Sequence, residues 1–336
     1  MADGPELHTV ADDLAVVFAG TEARVHEGLA PGRPYTFDGV ELRTLTRPAG
    51  ERLATVATVN DVHFGETECG RVDGHEVEPV LRSAGGQRPY PEVMNAAVVA
   101  EIAAVRPDAV VAKGDITSRG TPEEYAAFEA VYRPVLGERL VVTRGNHDHP
   151  AAGPCFPADP FRVVELAGAA LATLDTSRAG EGGGFLSCDQ VEALDEYLAR
   201  ADRPVLVFGH HPVRDPGAEA FMGEASGLDD ASGSALVALA ARRPAFAGYF
   251  AGHTHRNLVR RFPETGPVPF AEVACTKDFP GSWAEYRVFE GGILAVHHRV
   301  RAPDALAWSE RCRSLFFGLY PRWALGTLED RCYVVR

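Results

Sequence analysis

AGYFAGHTH, residues 247–255, joins an apolar run to a glycine and two histidines set two apart. Ala247 to Ala251 reads as a buried strand, and Gly252 marks where the chain leaves it. One such strand decides little, because a Gly-His pair is ordinary in a turn. Four further segments make it decisive. Leu53 to Asn60 runs into Asp61-Val62-His63, and Ala109 to Lys113 into Gly114-Asp115. Arg139 to Thr143 runs into Gly145-Asn146-His147-Asp148, and Pro204 to Phe208 into Gly209-His210-His211. Sites form at the carboxyl ends of strands in layered sheets, because the loops there converge over one crevice.

Helices are expected between these strands, over Pro91 to Val105, Pro122 to Leu136, Asp189 to Ala201 and Ser232 to Arg242; Thr121 is the N-cap of the second and Pro122 its first helical residue. The alternation predicts an α/β fold of sheets covered by helices. Trp283 to Glu290 and Gly292 to Arg299 read as a hairpin across Gly291-Gly292. Residues 1–52 form a small N-terminal β-rich extension, with strands over Leu14 to Ala19, Arg24 to Glu27 and Val40 to Thr46. Within it, GLAPGRPYTFDGVELRTL resembles the Leu-x-Pro-x-x-x-Tyr turn of fibronectin-type sandwiches, and an ordinary hairpin packed on the main domain is the alternative. Residues 53–300 carry the catalytic pattern, and 301–336 an aromatic-rich C-terminal appendage of helical or mixed structure.

The formal charge of -14, with no Lys/Arg block, argues against a nucleic-acid polymer or anionic membrane as partner. No basic-then-apolar leader and no run near the roughly 18 apolar residues of a span is read, so a cytoplasmic protein is expected. Six cysteines without CxxC spacing read as separate buried thiols. Homodimerisation through either extension is also expected.

Asp, Asn and His donors suit Mn, Fe or Zn, and the absence of cysteine from the five strand ends argues against a structural zinc cluster. In Asp61-x-His63 and His253-x-His255 an extended backbone would turn both ligands to one side. Glycines ahead of Asp115, Asn146, His210 and His253 let the chain leave each strand sharply. Seven donors exceed what one ion with an open position needs, so two metals are expected, lowering the pKa of bound water and attracting an anionic group despite the acidic surface.

The ordered set DxH, GD, GNHD, a separate histidine and GHTH resembles the calcineurin-like metallophosphoesterase superfamily over Leu53 to Arg299. The resemblance implies a four-layer α/β/β/α sandwich and a dinuclear metal-dependent phosphoester hydrolase using a metal-activated hydroxide. It implies that Asp61, His63 and His255 bind one metal and Asn146, His210 and His253 the other, with Asp115 bridging; His211 could exchange with His210. His147 is the expected catalytic residue, stabilising charge or protonating the leaving oxygen. Many relatives pair that histidine with an aspartate in GDxxDRG, where this chain has Ser118, which weakens the case for general-acid catalysis. The organisation resembles class III cyclic-nucleotide phosphodiesterases and bacterial glycerophosphodiesterases, implying a small phosphodiester substrate such as a 3′,5′-cyclic nucleotide. A phosphomonoesterase is the alternative, and a non-catalytic metal-binding scaffold a third reading. Specificity is expected in the loops 64–90, 149–160 and 212–228, the last with Phe221 and Met222; Arg144, Lys113 and Lys277 are either phosphate contacts or solvated surface residues.

Overall fold

In a computed structural model, which describes residues 4–72 and 75–335, the strand-end pattern resolves into two six-stranded sheets packed face to face. The first is ordered β10 (Leu140–Thr143), β9 (Ala109–Lys113), β6 (Arg52–Val59), β17 (Ser282–Phe289), β18 (Gly292–Arg299) and β19 (Cys332–Val334). The second is ordered β11 (Phe161–Leu166), β12 (Ala169–Leu174), β13 (Val205–Phe208), β14 (Phe246–Ala251), β16 (Phe270–Glu272) and β15 (Leu258–Arg260). β6, β9 and β10 run parallel, as do β12, β13, β14 and β16. Such strands, covered on both faces, are apolar throughout rather than alternating, and β9 and β13 are buried at every position.

Alternation still assigns the faces. Val56 and Val111 enter the core between the sheets with Leu171, Leu206 and Phe250, whereas Ala57, Val110 and Ala112 face outward. The outward cluster is covered by α1 (Tyr90–Val105), α2 (Pro122–Leu136) and α6 (Pro303–Cys312), and the second sheet is covered by α3 (Cys188–Arg200) and α5 (Asp230–Arg242). The fold is therefore the four-layer α/β/β/α sandwich. Helix α2 begins where Thr121 accepts the amide of Glu124 at 3.2 Å, with Pro122 at its first position.

The N-terminal residues form a three-stranded sheet, β1 (Glu6–Val10), β2 (Leu14–Ala19) and β3 (Glu22–Glu27), and a hairpin, β4 (Pro34–Phe37) and β5 (Val40–Arg43). In the resembling turn, Tyr35 Oη accepts the Ala30 amide at 2.8 Å. Both units pack on the outer side of β18 and β19 through a cluster of Val10, Leu42, Leu294 and Cys332. The C-terminal segment adds α6, α7 (Tyr320–Leu325), α8 (Leu328–Arg331) and β19, the last pairing with β18. Residues 64–90, expected as one long loop, contain the hairpin β7 (Cys69–Val72) and β8 (His75–Leu81). The loop 212–228 contains a short helix, α4 (Pro216–Met222); the Phe221 side chain expected there lies outside the described residues.

Candidate metal centre

β6, β9, β10, β13 and β14 all end at one rim of the sandwich, and the segments beyond them are stitched together by backbone bonds. The amides of Asp61, Val62 and Phe64 donate to the carbonyls of Gly114, Asp115 and Ile116 at 2.9 to 3.1 Å, and Gly252 N donates to His210 O at 2.9 Å. The extended backbone expected for Asp61-x-His63 and His253-x-His255 is absent. Asp61, His63, Asp115, His253 and His255 all have φ between 46° and 72°. Left-handed backbone is costly for side-chain-bearing residues, and its concentration here marks strain held at a site. A sequence carries no glycine signal for it.

The turns divide the donors into two groups. Donor atoms of Asp61, His63 and His255 lie within 4.8 Å of one another, as do those of His210, His211 and His253. His253 and His255 thus face different groups. Asp115 stands between: its Oδ2 is 3.2 Å from His210 Nε2 and 3.6 Å from His63 Nε2, while Asp61 Oδ1 is 3.4 Å from His255 Nε2. Asn146 opens the short turn after β10, and its Oδ1 is buried without a partner. His63 Nε2, His210 Nε2 and His211 Nε2 are likewise buried and without a hydrogen-bond partner. A cluster of orphaned lone pairs beside two carboxylates fits divalent metals.

Neighbouring groups fix which ring nitrogens face inward. His210 Nδ1 donates to Lys113 O at 2.9 Å, leaving Nε2 for the centre; His253 Nε2 donates to Ala225 O at 2.6 Å, leaving Nδ1. His211 Nδ1 is instead 2.8 Å from Thr176 Oγ1. Asp61 accepts from Asn60 Nδ2 at 2.5 Å and from the His253 amide at 3.0 Å. Asp148 accepts four bonds, from the amides of Ile116, Thr117 and Gly145 and from the Thr117 hydroxyl, tying the β9 and β10 loops together. Asn60, Asp148 and Thr176 were not among the expected functional residues; Asn60 and Asp148 adjoin expected ones in sequence, and Thr176 has no local signal.

Electrostatics point the same way. Burial would raise Asp61, but His255 and His210 outweigh it and hold the carboxyl below its usual range. Burial would lower His210, yet Asp115 and Asp61 push it up to about 9. Burial and its cationic neighbour His210 take His253 down to about 4, and burial with the Lys277 charge takes His63 well below its ordinary value. The carboxylates demand positive charge, which a protonated His210 supplies when no ion does.

His147 is exposed at the mouth, with its ring 4.8 Å from that of His63. Its Nδ1 donates to the Ser118 backbone carbonyl at 2.7 Å, so main chain occupies the place of the missing aspartate. The glycines act less through conformational freedom than expected: of the four preceding the strand-end donors only Gly114 has positive φ. A Cβ on Gly145 would lie 2.2 Å from Asp115 Oδ1, and one on Gly252 would lie 2.6 Å from Asp61 Oδ2. The three basic residues considered for phosphate are neither solvated nor free to reach it. Lys113 is buried and bonds Ala251 O at 2.8 Å, Arg144 pairs with Asp175 at 2.8 Å, and buried Lys277 pairs with Glu66 at 2.6 Å.

Residues 54–257 match the family model described as calcineurin-like phosphoesterase. The chain belongs to that family and is a metal-dependent phosphoester hydrolase. Among its relatives, it is 31% identical over 224 residues to the glycerophosphodiester phosphodiesterase GpdQ of Enterobacter lignolyticus, covering 62% of this chain and 73% of that one. It is 26% identical over 246 residues to the 3',5'-cyclic adenosine monophosphate phosphodiesterase CpdA of Pseudomonas aeruginosa, covering 70% and 81%. A dimetal phosphatase from Danio rerio shares the fold with a TM-score of 0.58 at 14% identity, covering 75% of this chain and 98% of that one. Among the described residues no helix is long and apolar enough to cross a membrane.

Proposed function

We propose that this protein hydrolyses small phosphodiesters at a dinuclear centre, with Asp61, His63 and His255 holding one ion, Asn146, His210 and His253 the other, and Asp115 between them. The observation that carries this reading is the convergence at one rim of Asp61, Asp115 and the buried Nε2 atoms of His63 and His210, which have no hydrogen-bond partner. Manganese, iron or zinc fits the oxygen and nitrogen donors. Two such ions, when bound, supply a nucleophilic water at neutral pH and positive charge for the phosphoryl oxygens.

The chain's own groups do the rest. His210 and His253 are fixed in opposite tautomers by the Lys113 and Ala225 carbonyls. The His147 amide donates to Asp115 Oδ1 at 2.9 Å, holding that oxygen of the carboxylate in place. With Nδ1 committed to Ser118 O, the His147 ring presents Nε2 to substrate. Because Nδ1–H is spent on that carbonyl, Nε2 can donate to a phosphoryl oxygen only as imidazolium; a neutral carbonyl supports that cation less than an aspartate would, so His147 acts by placing its protonated Nε2 on the phosphoryl charge rather than by passing that proton to the leaving oxygen.

Diesters are preferred over monoesters on the strength of the two phosphodiesterase relatives, with a 3′,5′-cyclic nucleotide or a glycerophosphodiester as substrate. The chain is further read as a catalytic region, 53–300, flanked by an N-terminal extension, 1–52, and a C-terminal segment, 301–336. Six unpaired thiols support a cytoplasmic setting, and either flank is a candidate surface for a homodimer. The deciding experiment is elemental analysis with Mn-dependent turnover of bis- and mono-p-nitrophenyl phosphate and a cyclic-nucleotide panel, on wild type and Asp115→Ala. Two metals and diester turnover in wild type, both lost in the variant, are expected; full activity in Asp115→Ala would refute the dinuclear assignment.

A further inference from the structure

The three polar groups of Thr254, the residue between His253 and His255, are each committed to a different part of the chain. Its amide donates to Gly252 O at 2.9 Å, its hydroxyl donates to Glu272 Oε2 at 2.5 Å, and its carbonyl accepts the indole Nε1–H of Trp323 at 2.9 Å. Beyond His255, the Asn257 amide donates to Ala324 O at 3.0 Å and Asn257 Nδ2 donates to the same oxygen at 3.1 Å. Trp323 and Ala324 are successive residues of α7, so one short helix holds the chain on both sides of His255.

The local chemistry suits this approach. Ala324 O is among the last carbonyls of α7, which have no partner within a helix, and Asn257 brings two donors to it. Gly326, where the chain leaves α7, has φ 63°, and a Cβ there would overlap Asn257 O. The indole is held in turn: the Arg256 guanidinium lies 4.6 Å from its ring centre and is itself buried in a two-bond pair with Glu272, at 2.8 and 2.9 Å.

His255 needs such support. Its φ is 53°, left-handed backbone that the surrounding structure has to impose. The peptide joining Thr254 to His255 carries the carbonyl that Trp323 binds, so the indole fixes the plane from which His255 hangs. His253 is fixed separately, through Ala225 O.

We propose that α7 is a positioning element of the metal centre, with Trp323 setting His255 for the ion held by Asp61, His63 and His255. This inference rests on the dinuclear reading above and assigns part of that site's support to the C-terminal segment. Trp323 acts through the Thr254 peptide and is not itself a ligand. Without the indole N–H the first ion loses the fixed direction of one donor, whereas the second keeps Asn146, His210 and His253 as they are. Groups that orient a metal-binding histidine typically contribute about 10–100-fold in metal affinity.

The test uses Trp323→Phe, which keeps a ring beside Arg256 and removes the N–H. The full chain, stripped of metal, is titrated with Mn(II) by calorimetry beside His255→Ala and Asn146→Ala, which identify the two binding steps. We expect the step that His255→Ala abolishes to weaken by roughly 10-fold or more in Trp323→Phe, and the step that Asn146→Ala abolishes to stay unchanged. Gly326→Ala, which pushes α7 off Asn257 without removing a donor, should weaken the same step and decides the matter if Trp323→Phe fails to fold. Phe317→Ser, at an exposed position of the same segment, should weaken neither. Hydrogen exchange on the metal-free proteins gives a reading independent of metal and turnover: residues 252–257 should exchange roughly 5-fold faster in Trp323→Phe, with α2 and β9 unchanged. Wild-type exchange at 252–257 in both variants, or equal weakening of the two steps, overturns the proposal. Fewer than two ions on the wild-type chain counts against the dinuclear reading instead, and the exchange measurement still decides the role of α7.

Discussion

Gly145→Ala tests the metal-centre geometry with one methyl group. Gly145 has φ -110° and ψ -174°, extended backbone open to any residue, so alanine introduces no backbone strain. The cost is steric. The new Cβ would lie 2.2 Å from Asp115 Oδ1, 2.5 Å from Asp115 N and 2.8 Å from His210 Cδ2, where ordinary contact begins at 3.4 Å. Asp115 cannot swing aside freely, since Oδ1 accepts the His147 amide and Oδ2 faces His210. The carboxylate or the β10 loop must therefore shift by about 1 Å, a displacement that costs on the order of 100-fold in rate, or about 2.7 kcal/mol of barrier. Overpacking should remove a further ~1–3 kcal/mol of stability. The assay is Mn-dependent bis-p-nitrophenyl phosphate turnover with elemental analysis and urea unfolding. Gly85→Ala serves as the control, because a Cβ there meets nothing within 4 Å. A Gly145→Ala protein with wild-type turnover and metal content would refute the placement of Asp115 between the two groups.

Three other outcomes are expected. His147→Ala should keep its metals while kcat falls by roughly 100-fold; because Ser118 supplies only a carbonyl, the loss should be similar for p-nitrophenyl and alkyl leaving groups, and a much larger loss with alkyl esters would show that His147 protonates the leaving oxygen. Glu285→Gln should flatten the acid side of the stability profile. Burial would raise Glu285, but His298 at 2.9 Å and Arg287 at 2.9 Å outweigh it and hold the carboxyl at about 2. A folded value below the unfolded one, about 4.3, gives stability that is complete above that pH and lost as pH falls toward 2, amounting to about 3 kcal/mol; equal losses in wild type and variant between pH 5 and 2.5 in urea unfolding would dispose of this account. Finally, Thr176→Val should leave His210 in place but free the His211 ring, so metal content should hold while stability falls by ~1 kcal/mol; loss of an ion would instead make His211 a ligand.

The strands carrying the site were legible because each is an apolar run cut off by glycine or by a polar donor, and β9 occupies its expected residues, Ala109 to Lys113. β11 and β12 were not, since VVELAGAALATL has neither the alternation of a half-buried strand nor a branched-rich run, and its alanines suit a helix equally. β1 hides behind His8, a polar residue whose burial depends on groups about 300 positions away, Arg299 and Arg331. The donors were readable from their types, but the left-handed turns presenting them were not, because Asp and His at positive φ look like Asp and His anywhere.

The pairing of β6 with β17 sets an order of assembly. Ala54 to Thr58 zip antiparallel to Val288 to Ala284, so the strand leading into Asp61 lies between β9 and a partner made more than 220 residues later. At ribosomal rates of about 5–20 residues per second, roughly 11–45 seconds pass between synthesis of the two. During that time one edge of β6 has no partner, a template for mispairing and a natural target for chaperones. The central sheet is thus a late event in the life of the chain, and yield during rapid overproduction should depend on synthesis speed more than on final stability.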